Sequence, residues 1–422
     1  MNTDRSLELY EESKKITPCG VSSPVRVFKP FPLFISSGKG SRITDADGNQ
    51  YIDFCMAYGP LITGHANPIV MKAAKEQIER GTVYGAPSDR ELELLKRINA
   101  RVPCAENVRL TNSGTEATMH AVRLARGFTN KRGIVKMNRG FHGAHDSMLA
   151  ISGSAEHCIP SSAGVPEDTV RNTYIVEYNN APELDSLLQK NNDIAAVIME
   201  PVMGNIGVVP PKKGYLDEIR KITLEHDVLL IFDEVITGFR VSGRCAQGLF
   251  GITPDLCTLG KIIGGGFPVG AIAGKEEIMQ HLAPAGPVYE AGTFSGNPVT
   301  AAAGSAVLDI LSEEIYSELK RRTDTTTSAI NDLLTDRNVK GCIQSSTSMF
   351  QIFFGTYSVT NGTDIDGIDL KMFEKMFNFM LKSGIYLPPS PLEVNFLSTA
   401  HDDSDVNRFI DAFDLFLRSI RS

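Results

Sequence analysis

The chain has no C-x-x-C pair, no long apolar run and no block of basic residues. Its seven cysteines (19, 55, 104, 158, 245, 257 and 342) are scattered and odd in number. That excludes a disulfide framework or a structural zinc module and points to free thiols in a reducing compartment. The longest apolar runs, Ile194–Met199 and Val228–Phe232, are six and five residues, far short of the roughly 20 that a membrane helix needs. The opening MNTDRSLELYEESKK has no apolar segment, so a secretory leader is not expected. Forty-two Lys and Arg against 50 Asp and Glu leave a net charge of −8, which opposes binding to nucleic acid or to anionic membranes. No G-x-G-x-x-G occurs, so a Rossmann dinucleotide site lacks its fingerprint. A Walker A loop around Lys261 is excluded by Asp255, where glycine is required, and by Ile262, where Ser or Thr is required.

Against these absences stand 422 residues, 42% of them hydrophobic, room for about two or three domains. Ile194–Met199 and Val228–Phe232 are rich in β-branched residues and bounded by polar ones, as buried parallel strands are. Between them, Tyr215–His226 spaces Leu216, Ile219, Ile222 and Leu224 near a helical period, completing a βαβ unit. Upstream, Thr115–Arg126 reads as a helix and Gly133–Lys136 as the next strand. The pattern predicts an α/β fold, a mostly parallel sheet between helices. Residues 36–54, with Asp47-Gly48 between strand-like pieces, read as a hairpin. One long helix is expected over Ala301–Arg322, and Arg321–Asp336 reads as a solvated helix face. The expected division is a large central domain, 51–309, and a smaller α+β domain built from 1–50 and 310–422.

Three segments carry chemistry. Lys261, in TLGKIIGGGFPVGA, has an apolar neighbourhood that disfavours the charged ammonium, lowers its pKa and makes the amine a nucleophile toward carbonyls. A surface lysine beside a loop is the plain alternative. The run Gly264–Gly266 implies a close backbone approach. Asp233 ends the run VLLIFD, where α/β sheets meet their ligands. There it can keep a pyridine nitrogen protonated by a charge-assisted hydrogen bond, or simply cap the following turn. Asn112-Ser113-Gly114-Thr115-Glu116 precedes a helix and can present amides to a phosphate, or only cap that helix. In conjunction the three describe a pyridoxal phosphate site. His142 and His145, three apart, supply too few ligands for a metal; none is expected, and Asp146 and Glu200 are expected to support the cofactor pocket.

The segments NSGTEA (112–117), FHGAHDS (141–147), FDEVITGFR (232–240), TLGKIIGGGFPVGA (258–271) and GTFSGNP (292–298) resemble those of class III aminotransferases in the fold-type I pyridoxal phosphate superfamily. The resemblance runs from about residue 7 to 420. More narrowly it is to the aminomutase branch, whose members convert glutamate-1-semialdehyde to 5-aminolevulinate, a tetrapyrrole precursor. It implies a large domain and a smaller one from both termini, and pyridoxal 5'-phosphate cycling with pyridoxamine 5'-phosphate (PMP). Lys261 would hold the cofactor covalently and shuttle protons, and Asp233 would pair with its ring nitrogen. Ser113, Gly114 and Thr115 would hold the phosphate, Phe141 would stack on the ring beside His142, and Asn205 would lie near the 3-hydroxyl. Thr293 would reach the phosphate in the neighbouring subunit of a homodimer. GVSSPVR (20–26) and YLPPSPLEVNFLSTAH (386–401) match the branch's terminal signatures. There Ser23 and Arg26 would meet the substrate carboxylate, a task that suits arginine's fork, and Glu393 would face the amino groups. Residues 152–170 fall where the family has its mobile gate.

Three positions depart from the family pattern: Phe141 replaces a usual tyrosine, and Cys19 and Ala155 replace glycines. The reading that results is a cytoplasmic isomerase acting on a small molecule, with neither nucleic acid nor membrane as partner. An ω-aminotransferase or racemase on the same fold is the alternative. A non-catalytic regulator is opposed by the pairing of Lys261 with Asp233.

Overall fold

Strand Ile194–Met199 is buried at every position and Leu229–Glu234 at all but the first, the pattern of strands covered on both faces of their sheet. In the computed structural model, which describes residues 2–152 and 158–420, these two strands lie side by side in a seven-stranded sheet. Its order is Asn107–Thr111, Gly270–Gly274, Leu256–Gly260, Leu229–Glu234, Ile194–Met199, Gly133–Met137, Thr173–Val176. Gly270–Gly274 is antiparallel to both neighbours, and the other pairings are parallel. Helix Gly114–Thr129 buries Ala117, Ala121 and Leu124 among Ile134, Ile198, Ile231 and Ile272 of the strands. Each fully buried Leu or Ile side chain stabilises by about 1.5–3 kcal/mol.

The sheet belongs to a compact unit of Ile69–Tyr316 with Thr360–Asp366; a second unit comprises Met1–Pro68, Ser317–Val359 and Gly367–Ser422. In the second unit, Arg42–Asp45 and Gln50–Asp53 form the hairpin around Gly48 (φ 87°), and Ile35–Lys39 extends it to a meander. Phe54, Phe350, Phe409, Phe413 and Phe416 are fully buried in this unit.

The single helix expected over Ala301–Arg322 is two, Pro298–Ile310 and Glu313–Asp336. Leu311 is extended (φ −74°, ψ 102°), and two glutamates occupy the first turn of the second helix, where the helix dipole favours them. Nor is Arg321–Asp336 wholly solvated. Thr323, Thr326, Ile330 and Leu334 make a buried stripe at helical spacing. Ala155 lies outside the described residues; the flanking strands of the expected gate, Ala150–Ser152 and Cys158–Pro160, pair antiparallel. Among the described residues no helix is long and apolar enough to cross a membrane.

Candidate active site

The parallel strands of the large sheet end at one edge, and the chemistry-bearing residues follow those ends. Asp233 is next to last in its strand, Lys261 comes directly after Leu256–Gly260, and Ser113 is two residues past Asn107–Thr111. Phe141 and His142 follow Gly133–Met137, and Glu200 follows Ile194–Met199. This carboxyl edge is where α/β sheets bind ligands.

Asp233 is 5% exposed. Its Oδ1 accepts from Thr258 Oγ1 (3.0 Å) and Val235 N (3.1 Å), and its Oδ2 lies 2.7 Å from His142 Nδ1. Thr258 is the register partner of Asp233 on the adjacent strand, so sheet pairing alone aims that hydroxyl. The bond to Val235 shows that Asp233 also caps the turn after it; the two sequence readings hold together. Burial pushes the His142 imidazole below its ordinary pKa against the opposing pull of Asp233. The neutral ring therefore donates its Nδ1 proton to Asp233, and Nε2 is buried without a hydrogen-bond partner.

Glu200 also faces this cluster. Burial, and then the charge of Asp233, push its carboxyl up to about 8, while Asn205 and the Gly204 and Phe141 amides pull it down. Near neutral pH Glu200 is thus largely protonated, beside Asn205 and accepting from Gly204 N at 2.8 Å. Asp146, expected in the same supporting role, is instead exposed on the turn Asp146–Met148. His145 pairs with Ser147 Oγ (3.0 Å), and the described residues contain no cluster suited to a metal.

Helix Gly114–Thr129 begins at the same edge. Ser113 Oγ accepts from Glu116 N (3.1 Å), Ser113 O accepts from Ala117 N (3.0 Å), and Glu116 folds back onto Asn112 N (2.8 Å). Of the four amides that a helix start leaves without intrahelical partners, that of Glu116 is met by Ser113 Oγ, and those of Gly114 and Thr115 are placed to meet an anion. A Cβ at Gly114 would come within 2.9 Å of Val235, so glycine allows the helix start to sit against the Asp233 turn. The loop after His142 closes over this end: Thr118 Oγ1 donates to His142 O (2.7 Å) and Ala144 N to Thr115 Oγ1 (3.2 Å). Phe141 is 49% exposed beside it. Thr293 lies in a loop whose Gly292 sits against Asn112.

Lys261 is partly buried and adopts a left-handed φ of 46°, a strain of about 1–3 kcal/mol that recurs at functional positions. The glycines after it serve packing: a Cβ at Gly265 (φ 59°) would lie 2.7 Å from the Ala303 carbonyl of helix Pro298–Ile310. The approach read from the glycine run is thus to this helix. Lys136 is a second lysine to weigh; it is buried, its amine donates to Met148 O (3.0 Å), and burial lowers it to about 8.

Ser23, Arg26 and Glu393 belong to the other unit, where Arg26 and Glu393 lie within electrostatic reach of Tyr58. Ser23 precedes the turn Pro24–Arg26, and Tyr58 Oη donates to Val25 O at 2.6 Å within it. Burial, then Cys55 and Glu393, raise the Tyr58 phenol above its ordinary value while Arg26 lowers it. The Glu393 carbonyl accepts from the buried Gln351 amide. Tyr58 and Thr258 were not singled out from sequence. Parallel register would have found Thr258, whereas nothing local marks Tyr58.

With a lysine, a buried carboxylate and a helix start gathered on one sheet edge, the fold is that of an α/β enzyme of fold type I. The chain belongs to the class-III aminotransferase family, whose sequence pattern matches residues 24–388. It is 47% identical over 421 residues to a glutamate-1-semialdehyde 2,1-aminomutase of Methanosphaera stadtmanae, covering 100% of both chains. Among solved structures, an omega-transaminase from Sphaerobacter thermophilus superposes with a TM-score of 0.93 at 29% identity, covering 99% of this chain and 98% of that one. A glutamate-1-semialdehyde-aminomutase from Pseudomonas aeruginosa in complex with PMP superposes with a TM-score of 0.90 at 26% identity, covering 98% and 94%.

Proposed function

We propose that this chain is a pyridoxal phosphate-dependent aminomutase that converts glutamate-1-semialdehyde to 5-aminolevulinate for tetrapyrrole synthesis in the cytoplasm. The observation that carries this reading is the full-length similarity to an aminomutase, which takes in the terminal segments holding Ser23, Arg26 and Glu393. When bound, the cofactor supplies an electron sink for breaking bonds at the substrate carbon that bears nitrogen.

The residues suit that group. The open amides of Gly114 and Thr115 match a dianionic phosphate. Asp233, held on three sides, offers a fixed charge to a protonated ring nitrogen. The protonated Glu200 and Asn205 give a polar lining that adds no further charge at neutral pH, beside a ring hydroxyl. In this reading Lys261 would anchor the cofactor, and its Nζ, once released as a neutral amine, would carry protons between the cofactor carbon and the substrate carbon that bears nitrogen. Arg26 and Ser23 hold the carboxylate, and Glu393 faces the amino groups. The enzyme works as a homodimer in which Thr293 serves the neighbouring subunit's phosphate. Supporting this, Val83, Tyr84, Leu92 and Phe294 are each 44–59% exposed, and Asn297 bonded to Thr82 O ties the loops of Val83, Tyr84 and Phe294 together. Such apolar exposure favours an interface.

The test is 5-aminolevulinate formation from glutamate-1-semialdehyde as sole substrate. An aminomutase needs no second amino donor or acceptor. The omega-transaminase likeness supports the second reading, which predicts no turnover until an amino partner is added.

A further inference from the structure

The segment Asp53–Gly59 carries an unusual backbone. Met56, Ala57 and Tyr58 have φ of 45°, 55° and 64°, three successive non-glycine residues in the left-handed region. Each costs about 1–3 kcal/mol and persists only where its surroundings over-determine it. Here they do. Asp53 is 2% exposed; its Oδ1 accepts from the amides of Cys55 (2.8 Å) and Met56 (3.1 Å), and its Oδ2 bonds His65 Nε2 (2.7 Å). Tyr58 N and Gly59 N then bond back to Cys55 O and Met56 O, while Phe54 and Met56 are fully buried. The result is a rigid elbow that projects the Tyr58 ring.

What the elbow holds is the Pro24–Arg26 turn. That turn has no side-chain cap from Ser23, and Val25, Arg26 and Val27 are all exposed. It is fixed by its own bonds, Arg26 N to Ser23 O (3.2 Å) and Val27 N to Pro24 O (3.2 Å), and by the shorter one from Tyr58 Oη to Val25 O. Arg26 and Tyr58 both line a cavity of about 500 Å³ with Asp53, His65 and Tyr386. A guanidinium on a loosely tethered turn would have to be ordered at each binding event, at a cost in affinity. One on a turn pinned from a strained, anchored elbow is ordered beforehand.

We infer that Tyr58 is a positioning residue for carboxylate recognition: its hydroxyl pins the Val25 carbonyl, so that Arg26 is held in place before a carboxylate-bearing substrate arrives. This rests on the reading of Arg26 as the carboxylate's partner, and the experiment separates the two. Tyr58→Phe removes one oxygen and keeps the ring. The holoenzyme is titrated, by the absorbance of its cofactor, with 5-aminolevulinate and with aminoacetone, which keeps the aminoketone and lacks the carboxylate.

In Y58F the half-saturation for 5-aminolevulinate should rise about tenfold, the effect of losing one hydrogen bond, while that for aminoacetone stays unchanged. Arg26→Gln should erase the preference for 5-aminolevulinate over aminoacetone. An R26Q enzyme that keeps the preference overturns the reading of Arg26, and the inference with it. If R26Q loses the preference but Y58F keeps it, or if Y58F weakens both ligands equally, the inference about Tyr58 alone is overturned.

Discussion

Replacing Asp233 by Asn tests the ring-nitrogen assignment with almost no change of shape. An amide oxygen at the Oδ1 position still accepts from Thr258 and Val235, so the strand end and its turn are preserved. On the other side the new NH2 group meets the Nδ1 proton of His142, donor against donor. Relief requires that proton to move to Nε2, which has no partner. The larger effect is the missing charge. A hydrogen bond to a charged group contributes about 1.5–3 kcal/mol, and about 1.4 kcal/mol is a decade in rate. Turnover in D233N should therefore fall by about 10- to 150-fold, measured as 5-aminolevulinate formed from the semialdehyde, while circular dichroism reports a retained fold. A D233N enzyme within about twofold of the parent rate would refute the assignment.

Three further outcomes are expected. Gly265→Ala places a Cβ 2.7 Å from the Ala303 carbonyl at a φ of 59°, so urea unfolding should show a loss of about 1–3 kcal/mol; unchanged stability would contradict the packing role of that glycine. Glu200 has its folded pKa raised from 4.5 to about 8, so its contribution is full below the lower value and is lost as pH rises through the upper one. Wild type should thus lose stability relative to Glu200→Gln between about pH 5 and 9, and parallel pH profiles of the two would count against a neutral Glu200. Mixing Lys261→Ala with Thr293→Ala subunits should restore cofactor affinity in half the sites of hybrid dimers. If Thr293 serves its own subunit, every hybrid site keeps one defect and nothing is recovered.

How much of this was legible beforehand depended on the range of the interactions. Ile194–Met199 and Leu229–Glu234 announce themselves because a strand buried on both faces must be apolar throughout, a property written in consecutive residues. The residues at the strand ends were readable for a related reason: Asp233 and Lys261 each break an apolar or small-residue run where the chain leaves the sheet, and Ser113 opens the small-residue turn Ser113-Gly114-Thr115 before a helix. The break at Leu311 was also local, with Ser312-Glu313-Glu314 a helix-start signal hidden inside a longer periodic stretch. The glycine run was read correctly as a close approach, but sequence could not say that helix Pro298–Ile310 is what approaches. Tyr58 was out of reach, since its conformation is set by Asp53 and His65 and its target is Val25, 33 residues away.

Whether the amine of Lys261 holds the cofactor can be read chemically. Borohydride reduction of the holoenzyme, followed by proteolysis and mass spectrometry, fixes a phosphopyridoxyl group to whichever lysine carries it. That group is expected on the peptide containing Lys261, and should disappear in Lys261→Ala. A label on Lys136, or on any other lysine, would contradict it.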